Sequence, residues 1–434
     1  MSARYARLAA RHGTPLYIYD LAEAEAARDE LFAALPEECE LYYALKANPH
    51  PGLVRALRGG GGGRGGGGGR GCRAEISSTG ELAAALAAGF AGADCLYTGP
   101  GKTDAELREA IGLGVRLFST DSVTDLRRVG AAASAQGVTA DCLLRVNSAS
   151  ASAATSIRMT GTPSQFGFDS ETLAETLPLL RAVAGVELAG LHFFPLSNAR
   201  DEESLIGEFR HTVELAAALS AELGLPLRIL DLGGGFSSPY GVPGARGRYP
   251  KLRQELSLTL DRHLPGWREG TPAIAFESGR FLAGASGTLV ASVTNVKVSR
   301  GRTFVILDAG INTFGGMSGL GRLMPVSVRL CDDGADEKDG GGATVAINTV
   351  RASLAGPLCT PGDLLGREIP LPALEPGDLV EVPNAGAYGP TASLLLFLGR
   401  PAPLEIVIRG DETVSVSRIE PHRRHLVPAA DRDG

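Results

Sequence analysis

The sequence predicts an α/β protein, a (β/α)8 barrel of the TIM type followed by a C-terminal domain that is mainly β. Two observations predict it: short β-rich runs alternate with helical stretches up to residue 282, and from residue 283 the chain turns to β-branched runs with little helical periodicity. The first set of runs is LYYALKA (41–47), RAEISS (73–78), CLYTG (95–99), RLFSTD (116–121), CLLRVN (142–147), GLHFF (190–194), RILDLGG (228–234) and AIAFESG (273–279). Between them stand GELAAALAAGF (80–90), TDAELREAIGLG (103–114) and EFRHTVELAAALSAELG (208–224), where apolar residues recur at helical spacing. Eight strands over about 240 residues match a barrel. The alternation fixes the order of elements and not their closure, so a doubly wound sheet remains the alternative.

The second set is GTLVASVTNVKV (287–298), RTFVILDAGIN (302–312), MPVSVRL (324–330), ATVAINTV (343–350), DLVEVPNAG (378–386) and LEIVIRG (404–410). The domain limits read as 36–282 for the barrel and 283–434 for the β domain, with segment 1–35, which carries the strand PLYIYD (15–20), packing beside the β domain. Residues 59–71, GGGGGRGGGGGRG, follow the helical LVRALR (53–58) and read as a flexible loop insertion on the barrel exterior. They do not read as a phosphate cradle, since no strand precedes them and no Lys-Ser/Thr closes them.

The 434 residues are 44% hydrophobic and 21% charged, ordinary globular usage with material for two or three domains. Lys and Arg number 42 against 49 Asp and Glu, a net charge of −7 without a basic run, which argues against a nucleic-acid partner. The start, MSARYARLAARHGTPLYIYD, has no apolar signal core, and no apolar run is long enough to span a bilayer, so the expectation is a cytoplasmic protein without a membrane partner. Cys39, Cys72, Cys95, Cys142, Cys331 and Cys359 stand singly, without CxxC or metal-ligand spacing, which predicts reduced thiols and no metal site.

Catalytic residues of such barrels gather at the C-terminal ends of the strands. The first strand delivers Lys46 from an apolar setting, where desolvation would depress its pKa and suit it to Schiff-base chemistry; a paired lysine is the plainer reading. The second gives Glu75, the fifth Arg145, and the sixth His192, Phe194 and Ser197. The seventh runs into Gly233, Gly234 and Gly235, whose N–H groups can approach a phosphate, although a tight turn alone would also use them. The eighth ends in Glu277 and Arg280, an acid and a guanidinium that a simple salt bridge would also explain. Together these are the parts needed to hold pyridoxal 5'-phosphate: a lysine for an imine, a phosphate seat, and a carboxylate that keeps the pyridine nitrogen protonated and the ring a strong electron sink.

In YYALKANPHPGLV, AEISSTGEL, YTGPGKTDAEL, LLRVN, SQFGF, GLHFF, LDLGGGF, FESGR, GPLCTPGD and LEPGDLVEVPNAGAY, the sequence resembles the fold-type III pyridoxal-phosphate decarboxylases. These are the diaminopimelate, ornithine and arginine decarboxylases related to alanine racemase. The resemblance implies that Lys46 carries the cofactor, that Glu277 contacts the pyridine nitrogen, and that Gly233, Gly234, Gly235, Arg280, Ser197 and Tyr388 hold the phosphate. It places Glu75 near the lysine and Arg145 beside the cofactor. Cys359 matches the catalytic cysteine that the family donates from the second subunit of a head-to-tail homodimer. Since Cys359 and Tyr388 lie in the β domain and Lys46 and Glu277 on the barrel, the expectation is an active site shared across the interface.

Three departures bear on substrate. Phe194 stands where the family has a second histidine over the cofactor ring; it can stack but cannot move a proton. Thr360 follows the cysteine where diamine-forming members have an acid, leaving Asp363 as the next carboxylate on hand for a distal ammonium, with Tyr388 also facing substrate. Residues 313–325 are small and apolar where charged substrate contacts are common, and Phe281 follows ESGR. The expected reaction is α-decarboxylation of an amino acid or derivative, with the pocket resembling the specialised-metabolism subgroup that takes modified or carrier-protein-tethered amino acids. The alternatives are an alanine-racemase-type enzyme, disfavoured by Glu277 and GPLC, and an inactive cofactor-binding regulatory homologue, disfavoured by Lys46 and Cys359.

Overall fold

The computed structural model describes residues 2–59, 70–149, 157–158, 163–315, 326–331 and 349–423. Most of the glycine-rich insertion (60–69) and of the apolar segment (316–325) lies outside the described residues.

Eight strands, Glu40–Ala44, Arg73–Ile76, Cys95–Tyr97, Leu117–Thr120, Ala140–Asn147, Val186–His192, Ile229–Asp231 and Ala273–Ser278, pair in parallel, each with the next. The last returns to the first, Ala275 opposite Glu40 through Ser278 opposite Tyr43, so the sheet is a closed barrel and not a doubly wound sheet. Side chains alternate along each strand. Leu41, Tyr43, Ala74, Ile76, Phe118, Leu144, Leu191, Leu230 and Phe276 point outward and join the large core beneath the helices. Tyr42, Leu96, Leu143, Ala189 and Ala275 point inward and form their own cluster, backed by Leu117 and Ile229, which fills the lumen. Advancing two residues from this apolar floor, the inward positions become Ser119, Arg145, Asp231 and Glu277. The floor therefore carries a polar layer at the C-terminal mouth.

Short capped turns lead from the second and third strands into their helices. Ser78 Oγ accepts from Glu81 N (3.1 Å) and starts the helix Thr79–Ala87, while Thr103 and Glu106 cap each other at the start of Asp104–Gly112.

Most of the other strands form a second large sheet. Leu16–Asp20 pairs antiparallel with Gly287–Ser299 and parallel with Leu404–Arg409, so the N-terminal strand is built into the β sheet. Arg302–Leu307, Thr349–Ala355 and Leu364–Pro372 continue one edge, and Glu412–Arg418 closes the other. Three elements escape the sequence pattern. The helix Ser2–His12 lays Tyr5, Leu8 and Ala9 on Ile18 and Ile406. In Leu364–Pro372, Gly366 and two prolines interrupt the strand pattern although Leu365 and Leu371 reach the core, and Glu412–Arg418 is exposed throughout and has no buried face. Of MPVSVRL only Arg329–Leu330 is strand among the described residues, and the strand sought at 343–350 is described from Thr349 and runs on to Ala355.

Candidate active site

A cleft at the barrel mouth, about 430 Å³ of space open to solvent on one side, is lined by Lys46, Phe194, Ser197, Asn198, Gly234, Gly235, Glu277, Arg280 and Tyr388, among others. Lys46 stands in the single 3-10 turn Leu45–Ala47 that ends the first barrel strand. Its Nζ lies 2.9 and 2.8 Å from the two carboxylate oxygens of Glu75, which is fully buried and also accepts from the Thr98 hydroxyl. The expectation of a depressed lysine pKa is corrected here. Burial does pull it down, but the carboxylates of Glu75 and Glu277 outweigh burial and hold the ammonium above the ordinary lysine value.

Glu277 is buried, and its Oε1 has no hydrogen-bond partner among the described residues. Burial, followed by the nearby Glu75 and Asp231, raises its pKa well above the carboxylate range. Asp231 lies under the glycine turn, with Oδ1 accepting from Gly233 N (2.8 Å), and burial raises its pKa to about 7. The glycines are demanded by space as well as conformation. Gly233 has φ +69° and its Cβ would strike the Phe193 carbonyl; at Gly234 a Cβ would sit 2.7 Å from the Glu277 carbonyl. Arg280 closes this corner, its guanidinium 5.9 Å from the Tyr240 ring and 5.7 Å from the Tyr388 ring.

On the other wall, Arg145 stacks on Phe166 at 4.5 Å, lies 5.9 Å from Phe194, and faces Asp121 at 3.8 Å. The ring of Phe194 also stands 5.9 Å from Lys46 Nζ. His192 is buried with Nδ1 2.6 Å from Ser119 Oγ, and burial, with Arg145 adding to it, lowers its pKa well below the ordinary histidine value. Ser119, Asp231, Thr98 and Asn198 did not stand out in the sequence. The signal for Ser119 and Asp231 is their phase: each sits two residues past an apolar inward position.

Two expectations are corrected in the β domain. Tyr388 reaches the cleft of its own chain, its backbone N–H donating to Ala47 O (2.7 Å) while Asn48 Nδ2 donates to Gly386 O (2.8 Å). It is therefore not a residue that only a second subunit could bring. Asp363 does not face a substrate. It is 3% exposed, and its two oxygens accept the backbone N–H groups of Ile311 (2.8 Å) and Leu358 (2.7 Å). Asp363→Ala should cost about 2–4 kcal/mol of stability by stranding those two buried donors, measured by chemical denaturation. Cys359 is exposed and does not line the cleft of its own chain; beside it, Thr360 Oγ1 accepts from Gly362 N (3.3 Å).

These residues fit pyridoxal 5'-phosphate. A protonated ring nitrogen supplies the donor that Glu277 Oε1 lacks, the crowded glycine turn with Arg280 and Ser197 offers a phosphate seat, and Lys46 opens into the same space. The family model described as "Pyridoxal-dependent decarboxylase, pyridoxal binding domain" matches residues 21–284. The chain is 31% identical over 94% of its length to an L-glutamyl-[BtrI acyl-carrier protein] decarboxylase of Niallia circulans, covering 91% of that protein. It is 32% identical over 95% of its length to a diaminopimelate decarboxylase of Deinococcus radiodurans, covering 94% of it. Among solved structures, a Helicobacter pylori diaminopimelate decarboxylase complexed with L-lysine superposes with a TM-score of 0.77 at 25% identity, covering 95% of each chain.

Proposed function

The chain belongs to the pyridoxal-dependent decarboxylase family and is a pyridoxal-phosphate enzyme that decarboxylates an amino acid or amino-acid derivative; on that premise we propose how its residues divide the work and which substrates it takes. The single observation that carries the assignment of roles is the convergence of Lys46, Glu75 and Glu277 with the glycine turn in one cleft. When bound, the cofactor supplies an electron sink for the charge left at Cα as CO₂ departs.

Lys46 is the attachment point, and its ammonium must first lose a proton. Glu75, 2.8 Å away, is the acceptor within reach. Glu277 would offer its unpartnered oxygen to the ring nitrogen, whose positive charge would offset the effect of burial and favour the carboxylate form. Gly233, Gly234 and Gly235 give backbone N–H groups, and Arg280, Ser197 and Tyr388 side chains, to the phosphate. Phe194, in the cleft lining, would shield the cofactor ring from water; Arg145, stacked on Phe166, holds that wall in place.

Protonation at Cα falls to Cys359 of a partner subunit, in a homodimer with shared sites. Its exposure on the β domain, away from its own cleft, supports that reading. A cytoplasmic setting accords with the six cysteines being free. No described helix is long and apolar enough to cross a membrane.

The substrate we propose is a modified or carrier-tethered amino acid without a free distal ammonium. Thr360 in place of an acid and the engagement of Asp363 support it, as does the likeness to the acyl-carrier-protein decarboxylase. An unpaired buried ammonium costs several kcal/mol, well beyond a factor of ten in rate. Ornithine, lysine and diaminopimelate should accordingly be poor substrates. Thr360→Asp, which can keep the turn to Gly362, should raise kcat/KM for at least one of them about tenfold or more relative to the native substrate. Efficient turnover of any of the three by the wild type, roughly 10⁴ M⁻¹s⁻¹ or better, would sink this choice of substrate.

A further inference from the structure

Behind the cleft, inward positions of the fourth, sixth, seventh and eighth strands bring together Ser119, His192, Asp231 and Glu277, of which the reaction as described uses only Glu277. All are at most 2% exposed. His192 bridges two of them: Nδ1 lies 2.6 Å from Ser119 Oγ, and Nε2 faces Glu277 Oε1 at 3.5 Å. Nε2, Glu277 Oε1 and Asp231 Oδ2 have no hydrogen-bond partner among the described residues, and one ligand atom from each of these three residues lies within 4.8 Å of the others. Burial and the positive charges of Arg145, Lys46 and Lys102 keep the imidazole neutral. It therefore carries one N–H and one bare nitrogen, and the bond made at one nitrogen decides the state of the other.

The geometry points to Ser119 as a positioning residue: with the proton of His192 on Nε2, its hydroxyl donates to Nδ1, holds the ring, and so aims the N–H at the carboxylate of Glu277. The inference rests on the reading that Glu277 meets the ring nitrogen of the cofactor. Opposite a protonated ring nitrogen Glu277 is an anion, and a bare Nε2 would set a lone pair against it. The opposite tautomer spends its N–H on Ser119 and leaves that repulsion in place. A carboxylate has lone pairs enough to accept from both the ring nitrogen and His192. Ser119 thus acts on the cofactor through two intermediaries, by keeping Glu277 ionised and oriented.

Long-range proton–nitrogen correlation spectra of the cofactor-loaded enzyme, isotope-labelled at histidine, read the tautomer directly. The His192 signals are assigned by their loss in His192→Gln or their displacement in Ser119→Ala, so one well-folded variant suffices. The expected wild-type result is a proton on Nε2 and a bare Nδ1. Ser119→Ala should leave Nδ1 without its donor, loosen the ring from Glu277, and shift the cofactor's visible spectrum toward the unprotonated ring. It should also lower kcat about tenfold with KM nearly unchanged, and Ser119→Thr should restore part of each. A wild-type Nδ1–H, with Nε2 bare and accepting from a protonated Asp231 or ligating a cation, overturns the inference. So does a Ser119→Ala enzyme with wild-type spectrum and kcat. Failure to bind cofactor at all overturns the parent reading and this one with it, and shows in the absorption spectrum before any histidine signal is read.

Discussion

Lys46→Ala should purify without the visible absorption of bound cofactor, and its turnover should fall by more than about 10⁴-fold, the scale on which enzymes lose an attachment group. Among the residues lining the cleft Lys46 is the lysine, and Lys102 is held elsewhere by Asp125 at 2.7 Å and the Gly99 carbonyl at 2.6 Å. Removing the ammonium also strands the buried carboxylate of Glu75, so a folding defect has to be separated from a chemical one. Lys46→Arg does so. It keeps a positive charge beside Glu75 but offers a guanidinium that stays protonated and cannot attach the cofactor. Both variants should lose absorption and turnover alike. Retained cofactor absorption in either would remove Lys46 from its assigned role.

Mixing inactive Lys46→Ala and Cys359→Ala chains should restore activity to about a quarter of the wild-type value, since random reassociation makes half the dimers hybrid and each hybrid has one intact site. The expectation depends on the proposed role of Cys359 in the partner's cleft, which its exposure away from its own cleft supports. Tyr388 behaves differently. Anchored to Ala47 of its own chain, a Tyr388→Phe mutant mixed with Lys46→Ala should give hybrids whose Tyr388-deficient site alone retains Lys46. The two mixtures thus separate the residue contributed across the interface from the one contributed within the chain. No recovery in the cysteine mixture, with subunit exchange confirmed, would contradict the shared site.

The barrel was legible because short β-rich runs alternate with helical stretches, and at two of the turns the caps Ser78 and Thr103 mark in sequence what they make in space. Closure was not, because the pairing of Ala275 with Glu40 joins residues far apart in the chain and leaves no local pattern. At the site, Lys46, Glu75 and Glu277 stood out as charges in apolar strands. What their neighbours do to them did not: the raised lysine pKa comes from two carboxylates on other strands, which no reading of the first strand contains. Asp363 misled for the related reason that an acid in a turn looks available until its backbone partners, Ile311 and Leu358, are seen. Ser119 is an unremarkable hydroxyl in sequence and acquires meaning only from the imidazole 2.6 Å away.

The most direct measurement of the central claim is CO₂ release by the cofactor-loaded enzyme in heavy water, from a panel of free, acylated and carrier-tethered amino acids, with the amine product weighed by mass spectrometry. Residues arranged as described should release one CO₂ per amine formed, with a single deuterium at Cα and the largest kcat/KM among the substrates that lack a free distal ammonium. Loss of stereochemistry with deuterium at Cα and no CO₂ would identify a racemase. A bound cofactor with neither CO₂ nor exchange across the panel would contradict the assignment of these residues to catalysis.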